Sequence, residues 1–126
     1  MDINDLTIGE AKELSRMFGG QKQYTGGIDD FSLGEVVIIR TFSAGVWCGK
    51  LIRKSSEEVI LADARRMWKW KAVKGISLSE VSQEGIVQKE SRIAAAVPMV
   101  WLKAIEIIPV AGNAKKLIME APNAHA

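Results

Sequence analysis

From Arg65 to Lys74 the chain reads Arg-Arg-Met-Trp-Lys-Trp-Lys-Ala-Val-Lys, with five cations, two of the four tryptophans and no carboxylate. On a strand, Trp68 and Trp70 share one face while Arg65, Lys69 and Lys71 share the other. Indole faces stack on bases and nucleotide rings, and guanidinium groups pair with phosphates through two parallel hydrogen bonds. The plainer reading has both tryptophans filling the core and the cations forming a solvated face. Arg40 sits in an apolar run between Ile39 and Thr41. A charge there needs a carboxylate, with Glu58 or Asp63 as the expected partner, or else it faces a binding pocket. Thr41 and Ser43 add hydroxyls beside it, and the Ser43-Ala44-Gly45 turn adds backbone N–H groups suited to an anion. No Walker spacing follows. The chemistry these residues suggest is capture of a phosphate-bearing ligand by Arg40, Arg65, Arg66 and Lys71, with Trp47, Trp68 or Trp70 stacking on its ring.

Other chemistries lack the residues they need. The chain has one cysteine, Cys48, and one histidine, His125, next to the last of its 126 residues. One chain therefore cannot assemble a zinc site or an internal disulfide, and the same scarcity argues against Ser-His-Asp or Cys-His catalysis. Cys48, in a predicted strand, reads as a small buried hydrophobe. No two carboxylates are placed for acid–base hydrolysis. The expectation is a protein that is not an enzyme and needs no cofactor or metal. Its apolar content of 48% can form a core, and no apolar run reaches the ~18 residues that span a bilayer. The acidic start, Met1-Asp2-Ile3-Asn4-Asp5, lacks the character of a signal peptide. Charge is uneven: residues 1–33 carry net −3, residues 34–75 net +5, and residues 76–126 cancel. An anionic partner belongs in the middle of the chain.

These side chains must be positioned by short elements. Thr7 and Glu10 form a capping box for a helix whose apolar stripe is Ile8, Ala11, Leu14 and Phe18, ended by Gly19-Gly20. Residues 21–33 read as a flexible linker. At Gly34 the period changes: Val36 to Phe42 is β-branched and buried on both sides, and Val46 to Arg53 returns with a bend at Gly49. Glu58 to Ala62 makes a third strand, and after a break at Asp63-Ala64 Arg66 to Lys71 makes a fourth. Ser77 and Glu80 box a short helix that Gly85 closes. Residues 91–98 are ambiguous. Val100 to Ile108 reads as one strand ended by Pro109, with Trp101 in the core or an oligomer interface. Asn113 caps a last helix, Ala114 to Glu120. The fold class is α+β: a single domain over 1–126, with an N-terminal helix (1–20), the linker (21–33) and a small antiparallel β-meander or partly open barrel (34–126) carrying one inserted and one C-terminal helix. An edge such as Val100 to Ile108, blunted only by Lys103 and Glu106, predicts a homo-oligomer.

The phrases DLTIGEAKEL (5–14), IRTFSAGVWCGKL (39–51), EVILADARRMWKW (58–70), KGISLSEV (74–81) and VWLKAIEIIP (100–109) together resemble a widespread family of small, largely uncharacterised proteins of tailed bacteriophages and prophages. The resemblance covers nearly the whole chain and carries no assigned activity, so it transfers no catalytic residue. It implies an accessory protein acting in the bacterial host cytoplasm. Proteins of that kind often bind host molecules, including the nucleotide signals of bacterial immunity. By its strand rhythm alone, the segment from Ile38 to Ala64 is also analogous to a bent Sm-like or SH3-like barrel, without the Sm glycine and asparagine signatures.

The expected function is a non-enzymatic binding protein that sequesters a small anionic ligand, a cyclic nucleotide being one candidate, in an anti-defence role. A nucleic-acid-binding barrel and a module that inhibits a host protein are the alternatives. A net charge of only +2 disfavours nucleic acid.

Overall fold

The computed structural model describes residues 28–124. The helix expected over 1–20, most of the expected linker and His125 lie outside the described residues. Two compact units divide the chain, Met1–Phe31 and Ser32–Ala126. Of the first, the described part is a 3-10 turn, Ile28–Asp30, closed by a bond from the Phe31 N–H to the Ile28 carbonyl.

The second unit runs β1 (Val36–Arg40), β2 (Val46–Ser55), β3 (Glu58–Lys69), α1 (Leu78–Glu84), β4 (Arg92–Ile93), β5 (Val97–Lys103), β6 (Glu106–Pro109) and α2 (Gly112–Met119). All strand pairings are antiparallel, in the order β4-β3-β2-β1-β6, with β5 also on β3. The sheet does not close, so the expected meander is present and open.

Its strands are long because β-branched residues face a core on both sides. Val37 and Ile39 join Leu51, Val59, Leu61, Ala64 and Leu102 in one core. Ile38 joins Cys48, Met67 and Ile93 on the opposite face, where Val81 of α1 and Ile118 of α2 cover them. Each Val, Leu, Ile or Met side chain among them contributes about 1.5–3 kcal/mol on burial. The bend expected at Gly49 is real. The β2–β3 register shifts between Cys48 and Lys50, and a Cβ on Gly49 would stand 3.0 Å from the Ala62 carbonyl oxygen and the Ala64 Cα.

Three expectations are corrected. The third and fourth strands are one continuous β3. Asp63 adopts φ 50°, which a short polar side chain tolerates, and absorbs the bend as a bulge rather than a break. The single strand over Val100 to Ile108 is two strands, β5 and β6. Between them the Ala104 N–H donates to Glu57 and the Ile105 N–H to Arg40, so the chain passes from β3 to β1. The last helix begins at Gly112 with Ala111 as its N-cap, and Asn113 lies inside it. The ambiguous 91–98 supplies β4 and the start of β5. The Ser77–Glu80 capping box forms as read, and Gly85 follows the helix at φ 89°.

Candidate functional site

Arg40 ends β1 and Thr41 begins the loop to β2. That loop is built by Thr41, whose hydroxyl donates to the Gly45 carbonyl (2.8 Å) and accepts from the Ala44 N–H (2.8 Å). Gly45, at φ 86°, closes it. The Thr41 hydroxyl and Ala44 N–H expected to face an anion are thus engaged within the turn. Ser43 is exposed at the loop tip beside Phe42, which is 91% exposed. Phe42 does not continue β1, because the strand ends where Arg40 pairs with Val46 and Glu106.

Arg40 and Trp70 come together. They line one cleft of about 480 Å³ with Thr41, Ser43, Leu78 and Ile105 among its other walls. Arg40 meets a carboxylate, but it is Glu106 rather than Glu58 or Asp63. The two are register partners on β1 and β6, with Nε 3.4 Å from Oε1 and both side chains about half exposed. The pair engages Nε, and among the described residues nothing bonds the two Nη groups. Trp70 follows the end of β3 and packs its inner edge on the core beneath the helices.

Trp68 and Trp70 do not share a face. In the β3–β4 register Met67 pairs with Ile93 and Lys69 with Arg92, so Trp68 is an extra residue. One inserted residue flips everything after it to the other side. Trp68, 64% exposed, stands with Arg66 and Trp47 instead. The Arg66 guanidinium carbon lies 4.8 Å from each of the two ring centroids, within cation–π range. Arg66 Nη2 donates to the Ala44 carbonyl (2.6 Å), which also accepts from Trp47 Nε1 (3.0 Å). Arg66 and Trp47 therefore anchor the loop that walls the cleft, without lining it.

Arg65 leaves the candidate set. It is 3% exposed, and its guanidinium donates to the carbonyls of Ala94, Ile118, Met119, Ala121 and Ile93 and to Asn123 Oδ1. It caps the C-terminal end of α2, where unpaired carbonyls and the helix dipole favour a cation. Burial pulls its pKa below the usual arginine value, partly offset by Cys48. The Cys48 thiol is pushed up to about 12 by burial, against a smaller opposing pull from Arg65, so it stays protonated. Lys71 is exposed beside the cleft's Trp70. Phe42, Leu78 and Ile105 were not legible as site residues, because ordinary apolar side chains carry no chemical signature.

Trp101 is not a core residue. It is 67% exposed on β5, with Met99, 62% exposed, on the same side. It lines a second cleft of about 430 Å³ on which Phe42 and Ile105 also border. The β5 edge is better blunted than the sequence suggested, because the strand includes Pro98, which has no N–H. Among the described residues no three His, Cys, Asp or Glu side chains gather as a metal site. Among the same residues no helix is long and apolar enough to cross a membrane.

An open antiparallel sheet backed by two short helices, with a ligand-sized cleft at the end of its central hairpin, defines a small α+β domain. Over residues 34–118, two thirds of its length, the chain matches the family described as Domain of unknown function (DUF6948), and it belongs to that family. No curated protein and no solved structure matches it.

Proposed function

We propose that this protein is a non-enzymatic binding module that takes a small anionic ligand bearing an aromatic ring, of the nucleotide class, in the Arg40–Trp70 cleft. One observation carries the reading: a half-exposed guanidinium and a tryptophan converge on a single cleft of about 480 Å³. That volume lies within the ~300–1,000 Å³ typical of small-ligand pockets. Arg40 would present its Nη groups to a phosphate while Trp70 meets the ring and Leu78 excludes water. The setting is that of the phage resemblance, an anti-defence accessory protein in the bacterial host cytoplasm. Titration of tryptophan fluorescence with nucleoside monophosphates should give saturable quenching that Trp70→Phe removes. Arg40→Ala should weaken binding about ten-fold, the effect of one charged hydrogen bond. An unquenched wild type would refute the cleft as a nucleotide site.

A second reading rests on the side of β5 that carries Met99 and Trp101. Met99 and Trp101 are exposed there together, in the manner of a protein-contact surface, for a host protein or a second copy. Pro98 and Lys103 favour contact through the face over pairing along the edge.

A further inference from the structure

We propose that the ligand site crosses a ridge from the Arg40–Trp70 cleft into the cleft beside Trp101, and that the two together take a dinucleotide whose second base is guanine. The inference rests on the cleft reading and names the class of its ligand.

The two clefts, of about 480 and 430 Å³, share Thr41, Phe42, Ser43 and Ile105, so they meet along one wall. That wall is built from two parts of the chain. Phe42 stands on the β1–β2 loop and Ile105 on the link between β5 and β6. The Ile105 N–H donates to the Arg40 carbonyl (2.8 Å), which ties the link to the end of β1. Phe42, Ile105 and Trp101 are all among the large apolar side chains left exposed, Ile105 at 56%. Such side chains gathered around concave surfaces mark a binding region.

Each cleft brings one cation and one indole: Arg40 and Trp70 in the first, Lys103 and Trp101 in the second. Lys103 is exposed, and among the described residues it is in no ion pair. A charge and a stacking face on either side of a ridge suit two bases joined through phosphate. A single nucleotide uses the first cleft and leaves the ridge, Lys103 and Trp101 in water.

The second cleft differs from the first by one acid, Glu57. Its carbonyl accepts from the Ala104 N–H (2.8 Å), which fixes its backbone against the β5–β6 link. Its side chain is exposed and, among the described residues, in no ion pair. A carboxylate only accepts hydrogen bonds, so it disfavours a phosphate beside it and falls to the base. Guanine presents a ring N–H and an amino group side by side to the two carboxylate oxygens. Uracil presents one N–H between two carbonyls, which the carboxylate repels. A linear and a cyclic dinucleotide share this chemistry.

Binding is measured for wild type, Trp101→Ala, Glu57→Gln and Arg40→Ala. The probes are guanosine monophosphate, a linear and a cyclic diguanosine dinucleotide, and a cyclic diuridine dinucleotide. Trp101 and Glu57 are exposed, so their variants should fold, which circular dichroism verifies. Trp101→Ala should lose about ten-fold or more in affinity for the diguanosine probes, the effect of one stacked base, and leave the monophosphate unchanged. Glu57→Gln should narrow the wild-type preference for guanine over uracil by about ten-fold, the effect of one charged hydrogen bond. Arg40→Ala should weaken every probe that binds. The tighter of the two diguanosine probes assigns the source. If Trp101→Ala spares the dinucleotides, or weakens the monophosphate as much, the second cleft is overturned; Arg40→Ala weakening the monophosphate then leaves the first standing. Equal binding of diguanosine and diuridine by wild type overturns the guanine assignment. If no probe binds wild type, both readings fall.

Discussion

Arg65 and Arg66 are neighbours with opposite tasks, which shows how little residue type alone decides. Arg65 points under α2 and satisfies its terminal carbonyls, while Arg66 points to the other side of β3 and braces the loop of the cleft. Removing Arg65 would orphan a set of buried carbonyls. Arg65→Met should therefore lower stability by at least roughly 1–3 kcal/mol, the cost of leaving a buried acceptor unsatisfied. Urea unfolding measures this, and a loss below about 1 kcal/mol would remove Arg65 from its structural role. Cys48 gives a second test at this scale. With its thiol held near 12, it should resist a disulfide reagent in the native state and react at once after unfolding. Sequence alone correctly named Arg40 as a charge needing a carboxylate. It missed Glu106, because the β1–β6 pairing joins residues 66 positions apart.

Among the elements, those whose signals are local were the most legible. The α1 capping box is one: Ser77 Oγ accepts from the Glu80 N–H, and the Glu80 carboxylate accepts from the Ser77 hydroxyl and from the N–H groups of Ile76 and Ser77. The Ser77 hydroxyl, then the backbone N–H groups of Ile76 and Ser77, hold the Glu80 carboxyl below its usual range. A carboxylate with a lowered folded-state pKa stabilises above its unfolded value, about 4.3, and loses that contribution as pH falls through the folded one. Thermal melts of wild type and Glu80→Gln should thus differ at pH 7 and converge in acid below pH 4; a constant gap would contradict the box. At the other end of α1, Gly85→Ala should destabilise, because φ is positive there and the added Cβ would lie 2.6 Å from Leu117 Cδ1. The elements that were misread depend on distant partners. The Trp68 bulge exists only because β4 pairs with β3, and the break of the last strand exists only because its halves join different neighbours.

For the molecule as a whole, the change of period at Gly34 was the dependable signal. The compact unit begins at Ser32 and the family match at Gly34, within two residues of each other. The candidate site was only partly legible. Charge and aromatic content pointed to residues 65–74, yet folding sent Arg65 inward, placed Trp47, Arg66 and Trp68 behind a loop, and left Arg40 with Trp70 at the cleft. If the Met99–Trp101 face of β5 mediates self-association, light scattering at micromolar concentration should give more than 13.8 kDa, and Trp101→Glu should restore that mass. A wild-type monomer would leave that face without a second copy. The most direct test of the cleft is the indole region of a ¹⁵N–¹H NMR spectrum, where the four tryptophans give four resonances. Added nucleotide should move the Trp70 indole signal. That of Trp47, bonded to Ala44 on the far side of the loop, should stay in place, as should that of Trp101 on β5. Movement of Trp101 alone, or of none of the four, would contradict the assignment of the Arg40–Trp70 cleft as the ligand site.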